Sequence, residues 1–215
     1  MKAVYDRVIW DFNGTILDDL MTGIESADEL LIRYGLPPMK TVERYYEVFG
    51  FPIRDYYERL GFDFSKTDYS ILAHEWVEIY LRRVKTAPIR EGILETIAEL
   101  SRRGVQQTVL SMTEREMLRG QLTDLGLAAS FDEVCGLDDI YANSKLALAS
   151  AWRSRHPEER VLLVGDTSHD AESAKIIRCD CLLLSGGHES RDVLARSGYP
   201  VIDHPSAIFP YLFTV

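Results

Sequence analysis

Short apolar runs along this chain alternate with stretches in which apolar residues recur every three or four positions. The first run, Val8-Ile9-Trp10, stops at Asp11. Past residue 86 the runs Val105–Ser111, Phe131–Cys135, Val161–Asp166, Cys181–Ser185 and Tyr199–Ile202 read as strands. Helical patterns separate them. In Gly92–Arg103, Ile93, Ile97 and Leu100 fall on one face, while Glu95, Glu99 and Arg102 fall elsewhere. Glu114–Leu125, Ser144–Trp152 and Asp170–Ile177 follow the same rule. Strand–helix alternation with short connections predicts an α/β fold with a doubly wound parallel sheet, the N-terminal run being one of its central strands.

Residues 17–85 break the alternation. They hold helical patterns over Leu20–Tyr34, Thr41–Phe49, Pro52–Leu60 and Thr67–Lys85, punctuated by Pro37-Pro38, Gly50 and Gly61. Of the chain's 11 tyrosines, Tyr34, Tyr45, Tyr46, Tyr56, Tyr57, Tyr69 and Tyr80 lie here, which suits a small bundle packed on large amphipathic rings. The expected organisation is an α/β core from 1–16 and 86–215 with an inserted helical domain over 17–85.

Bulk properties narrow the function classes. With 46% hydrophobic and 27% charged residues the 215-residue chain is of globular type. A net charge of −10 gives no basic footprint for nucleic acid or anionic membrane, and obliges any phosphate site to carry its own local cations. Cys135, Cys179 and Cys181 are too few for a disulfide framework and read as core packing. No run has the length of a membrane span and no signal peptide precedes the first strand, so a cytoplasmic location is the default expectation. Oligomeric state does not follow from these features.

Ligands of open α/β sheets bind beyond the carboxyl ends of the strands. Asp11 ends the first run and Ser111 ends Thr108-Val109-Leu110. Lys145 opens a helix after Asn143-Ser144. Asp166 ends Val161-Leu162-Leu163-Val164-Gly165, with Asp170 four residues on. Each alone is weak, because such residues also serve as caps and turns. In this order, with Gly14-Thr15 after Asp11 and a helical insert after the first strand, the chain resembles the haloacid dehalogenase-like superfamily along essentially its whole length. The insert looks like that superfamily's C1-type cap, a lid over the active site.

The resemblance implies a Mg²⁺-dependent phosphatase acting on a small phosphorylated metabolite. Asp11 would attack phosphorus to form an aspartyl-phosphate. Mg²⁺ would take a carboxylate oxygen of Asp11, the backbone carbonyl of Asn13 and the carboxylate of Asp166, with Asp170 as an alternate or supporting ligand. Lys145 would bridge the nucleophile and a phosphate oxygen, and Ser111 with the amide of Met112 would hold another. Gly14 would allow close backbone approach, and the Thr15 hydroxyl would orient Asp11. His169 falls at a position the family pattern leaves variable.

One position departs from that pattern, which reads Asp-x-Asp where this chain has Asp11-Phe12-Asn13. The carbonyl of residue 13 survives the change, but an amide cannot protonate the leaving oxygen or activate water. Losing a general acid–base costs about 10²–10⁴-fold. The expectation is a slow phosphatase, or one favouring aryl or acyl phosphates, in which phosphorylated Asp11 accumulates. Three other readings of Asn13 stand beside it. It is an introduced change; or it marks phosphonatase chemistry, with Lys40 or Lys66 as the imine-forming lysine; or it marks a protein that binds phosphate ligands or partners without turnover. For substrate choice, Gly50-Phe51-Pro52-Ile53-Arg54 resembles the site-facing cap segment of phosphoglycolate phosphatase-like members, as does Leu182–Pro200 with Ser185-Gly186-Gly187. Arg54 is the candidate to meet a second anionic group. Sugar phosphates and nucleotides stay open.

Overall fold

In a computed structural model describing residues 3–141 and 145–213, six strands form one all-parallel sheet. They are β1 (Arg7–Trp10), β2 (Gln106–Glu114), β3 (Glu133–Leu137), β4 (Val161–Gly165), β5 (Asp180–Leu184) and β6 (Val201–Ile202). Their order is β3-β2-β1-β4-β5-β6. Strand order reverses between β1 and β4, which pair from Arg7↔Val161 to Trp10↔Val164. A cleft opens at such a switch point because the connections leave in opposite directions.

Side-chain alternation divides the core into two layers. Val8, Trp10, Val109, Leu162, Val164, Leu182 and Leu184 share one cluster with α5 (Ile93–Arg102) and α6 (Arg115–Asp124). Ile9, Leu110, Leu163, Cys181 and Leu183 point the other way, onto α7 (Lys145–Arg155) and α8 (Ser168–Ile177). Both faces of the sheet are therefore covered, and its strands are apolar throughout. Cys135 and Cys181 lie in the second cluster with Cys179 against it, and burial pushes the Cys135 and Cys179 thiols up to about 12. They are inert packing groups at neutral pH.

Between β1 and α5 the chain forms α1 (Leu20–Arg33), α2 (Val42–Val48), α3 (Ile53–Arg59) and α4 (Tyr69–Arg83). These helices pack around their own buried set, which includes Ile24, Leu30, Leu31, Tyr45, Tyr56, Tyr57 and Leu72. The segments leading out and back run side by side: the Asp18 N–H donates to the Pro88 carbonyl at 2.9 Å and that of Arg90 to Ile16 at 2.9 Å. Among the described residues no helix is long and apolar enough to cross a membrane.

The expected start of a helix at Ser144 lies outside the described residues, and that helix is described from Lys145. Strand β2 does not stop at Ser111 but continues to Glu114. Its pairing with β3 jumps from Leu110↔Cys135 to Glu114↔Leu137, so β2 carries extra residues at Ser111–Thr113. This bulge places Ser111 beside the switch point while the strand goes on.

Leu163 is fully buried on central β4. Leu163→Ala should lower unfolding free energy by about 2–5 kcal/mol, read as a reduced urea midpoint with an unchanged m-value.

Candidate active site

Asp11 follows β1 and Asp166 follows β4, so adjacent strands deliver two carboxylates to the switch point. Asp170 arrives from the first turn of α8, and the three offer ligand atoms within 4.8 Å of one another. Lys145, the first residue of α7, places its ammonium between Asp11 and Asp170, on Asp11 Oδ1 and at 2.5 Å from Asp170 Oδ1. Lys145 is 2% exposed, Asp11 9%, Asp170 1% and Asp166 not at all.

The two strand-loop aspartates of β4–α8 differ in how they are held. Asp170 Oδ2 accepts from the backbone N–H groups of Asp166 (3.2 Å) and Thr167 (3.1 Å) and from the Thr167 hydroxyl (2.7 Å). With Lys145 on its other oxygen, its acceptor capacity is largely used. Asp166 accepts one donor on each oxygen: the Thr15 hydroxyl at 2.8 Å and the His188 backbone N–H at 2.7 Å. Thr15 is thus turned to Asp166 and fully buried, rather than set to orient Asp11 or touch substrate. The loop after β1 reaches Asp166 because residue 14 has φ +72° and no side chain. A Cβ there would collide with the Asp166 carboxylate, as would one on Gly187.

Charge is unbalanced. Burial pushes the Asp11 carboxyl well above the usual range, with Asp170 and Asp166 adding to the effect against the opposing pull of Lys145. Burial also raises Asp166. Burial opposes ionisation of Asp170 too, but Lys145 and the Thr167 donors outweigh it and hold Asp170 low. Lys145 stays protonated, since Asp11 and Asp170 overcome its own desolvation. With all three carboxylates ionised, one ammonium would leave an excess of two negative charges in a buried space. That cost is what raises Asp11 and Asp166, and it makes the donor set suited to a divalent cation.

A second network, not legible in the sequence, fixes residue 13. The Asn13 side-chain amide donates to Asp19 Oδ2 at 2.8 Å and to the Tyr80 hydroxyl at 2.7 Å. Its oxygen accepts from the Thr113 hydroxyl at 2.8 Å, which in turn accepts from Ser111 Oγ at 3.1 Å. Tyr80 donates to Asp19 at 2.6 Å, and the Gly14 N–H donates to the other Asp19 oxygen at 2.8 Å. His188 Nε2 lies 3.2 Å from Asp19 and Nδ1 2.8 Å from the Tyr45 hydroxyl. Burial opposes its charge, yet Asp19 and Asp166 raise His188 to about 9, so it is an imidazolium at neutral pH. Burial likewise opposes ionisation of Asp19, but His188 and the surrounding donors hold its carboxyl low. Asp19, Tyr80, Thr113 and His188 sit in no motif; a second aspartate after Asp18 was the only signal available.

The site opens into a cavity of about 210 Å³ bordered by Asp11, Asn13, Ser111, Met112 and Lys145 on one side and by α3 and α4 on the other. Arg54 does not border it. Its guanidinium lies 4.3 Å from the Phe64 ring centre and 5.8 Å from that of Tyr69, on the outer side of α3 with its side chain 54% exposed. Its neighbours in this structure are those rings rather than the cavity. Lys40 is exposed, and Lys66 is exposed beside Asp63 at 3.3 Å; neither borders the cavity. His169 borders it, accepts the Lys145 backbone N–H on Nε2 at 3.2 Å and approaches Glu172 through Nδ1 at 3.0 Å, which makes it a brace for the start of α7.

This geometry has parallels. Tyrosine-protein kinase PtkA of Mycobacterium tuberculosis is 25% identical over 204 residues, covering 94% of this chain and 69% of that protein. Phosphoglycolate phosphatase 1 of Pseudomonas aeruginosa is 22% identical, covering 94% and 78%. A haloacid dehalogenase-like hydrolase of Streptococcus pneumoniae superposes with a TM-score of 0.82 at 17% identity, over 96% of this chain and 98% of that one. Residues 8–184 match the profile of the haloacid dehalogenase-like hydrolases. That span contains Asp11 and Asp166 with the strands that deliver them and Lys145 with the helix it opens, and the chain belongs to this family.

Proposed function

We propose that the protein is a Mg²⁺-dependent phosphatase that hydrolyses a small phosphomonoester through an aspartyl-phosphate on Asp11. The observation that carries this reading is the single buried ammonium of Lys145 shared by Asp11 and Asp170, with Asp166 alongside. A bound divalent cation would supply charge neutralisation between the carboxylates and the phosphate dianion. Asp11, Asp166 and the Asn13 carbonyl are the residues to hold it. Asp166 is favoured over Asp170 because each of its oxygens keeps acceptor capacity, whereas Asp170 is taken up by Lys145 and three donors from its own loop.

Lys145 fixes the Asp11 carboxylate and would meet a phosphate oxygen. Ser111 and the Met112 amide border the same space and would receive another. Helices α1–α4, treated as a lid over residues 17–85, would exclude water when closed. The names of the phosphoglycolate phosphatase relatives support phosphatase chemistry. The absence of Lys40 and Lys66 from the cavity wall speaks against an imine mechanism.

Asn13 would make the enzyme slow toward alkyl esters, because a carboxamide cannot protonate the leaving oxygen; its N–H groups are held by Asp19 and Tyr80. Hydrolysis of acetyl phosphate and p-nitrophenyl phosphate should require Mg²⁺ and disappear in Asp11→Ala. Absence of turnover with both compounds would refute the reading. At a hundred times its Kd, Mg²⁺ should stabilise the protein by about 2.7 kcal/mol, roughly a 5–10 °C rise in Tm. A differential scanning measurement should find that rise lost in Asp166→Asn.

Restoring a carboxylate at residue 13 alone should help little, because it would sit where 2.8 Å now separates an amide from Asp19. Asn13→Asp should lose stability. The exchange Asn13→Asp with Asp19→Asn keeps a donor–acceptor pair in reversed sense and should raise alkyl-ester turnover about 10²-fold or more over the original protein. Steady-state rates with glycerol phosphate check this; no gain in the exchanged protein would show that residue 13 does not limit the chemistry.

A further inference from the structure

We infer that the substrate of this site is an aryl phosphate, a monoester whose leaving group is a phenol, and the inference rests on the phosphatase reading above. Beyond its carboxylate end the cavity is walled by Phe49, Phe51, Tyr69, Trp76, Met117 and Ile140. Of the five tyrosines that border it, four have engaged hydroxyls: Tyr45 with His188, Tyr69 with the Tyr141 carbonyl, Tyr80 with Asp19 and Tyr56 with the Met39 sulfur; Tyr57 is the fifth. The other polar side chains on the wall are engaged as well, Thr113 with Asn13, Thr167 with Asp170 and Glu114 with the first backbone N–H groups of α6, so little is left for the hydroxyls of a sugar.

It also has little for a second anion. Among the described residues bordering the cavity, the cationic or imidazole side chains are Lys145, His169 and His188. Lys145 belongs to the phosphate end, His169 braces α7, and His188 is paired with Asp19. Arg54 is stacked outside. A carboxylate carried into this space, as in phosphoglycolate, would be desolvated without a partner. A single aromatic ring is of the right order of size: a dry cavity of about 150 Å³ accepts benzene, and this one measures about 210 Å³ including the carboxylate end that the phosphate would share.

The chemistry agrees with the shape. As the bond from Asp11 Oδ to phosphorus forms, the phosphorus–oxygen ester bond breaks and its electron pair leaves with the alcohol oxygen. A phenol has a pKa near ~10, as for tyrosine, whereas an alkanol lies nearer water at ~15.7. A phenolate therefore departs without a proton and takes one from solvent afterwards. Water then adds to phosphorus, releases Asp11 and inorganic phosphate, and gives its proton to solvent. No step requires an acid at residue 13.

The test compares kcat/KM of the Mg²⁺-loaded protein for acetyl, phenyl and benzyl phosphates, phosphoglycolate and glucose 6-phosphate. Phenyl phosphate should exceed phosphoglycolate and glucose 6-phosphate by at least about 10²-fold. Benzyl phosphate, with the ring but an alkanol leaving group, should keep a low KM and lose kcat. Phe51→Ala, at a half-buried position, should cut the phenyl phosphate value roughly tenfold and the acetyl phosphate value less. If acetyl phosphate is hydrolysed but phosphoglycolate or glucose 6-phosphate matches phenyl phosphate, the aryl assignment is wrong and the phosphatase reading stands. If none of these compounds is hydrolysed, both fall.

Discussion

One ammonium held among three buried carboxylates is the constraint on which the rest of this structure depends. Lys145 neutralises one charge and leaves an excess that burial makes costly, so the pocket is built to receive positive charge. The surrounding architecture serves that arrangement. Strand reversal between β1 and β4 puts Asp11 and Asp166 side by side. The first turn of α8 ties Asp170 to its own loop, while the Asp166 oxygen facing His188 keeps a single backbone donor. Gly14 and Gly187 give the Asp166 carboxylate the space that any side chain would take.

The Asn13–Asp19 contact is the second determinant, and it changes the meaning of the asparagine. Residue 13 is locked by donors and acceptors from β2, α4 and its own loop rather than left as a simple gap in an acid–base pair. Asp19 is held ionised by His188, Tyr80 and Asn13 together. The same network joins the helical block to the sheet. Tyr80 reaches Asp19, Tyr45 reaches His188, and Tyr46 donates to the Gly187 carbonyl at 3.0 Å. The asparagine, the helical block and the aromatic wall are therefore parts of one arrangement.

Much of this was legible in the sequence because local patterns carry it. The apolar runs ending at Asp11 and Asp166 set the two central strands, and the 3.6-residue period of Ile93, Ile97 and Leu100 set α5. What escaped was decided by distant partners. The length of β2 depends on its bulged register with β3, which no property of Ser111–Glu114 announces. His188 gains its role from Asp19, 169 residues away, and Tyr80 from a residue 61 positions earlier. Arg54 lies in a segment resembling a cap motif, but Phe64 and Tyr69 present rings that hold it outside. Thr15 follows the nucleophile in sequence yet bonds to Asp166, because the turn at Gly14 aims it across to β4.

The central claim is that Asp11 becomes covalently phosphorylated and, with no proton-transferring side chain at residue 13, is released slowly. Acid-quenched protein sampled during steady-state turnover of acetyl phosphate with Mg²⁺, digested and mapped by mass spectrometry, tests it most directly. The account predicts one phosphoryl group on the peptide containing Asp11, populated through turnover and absent from Asp11→Ala. Sustained turnover with Asp11 unmodified throughout, or with the phosphoryl group on another residue, would contradict it.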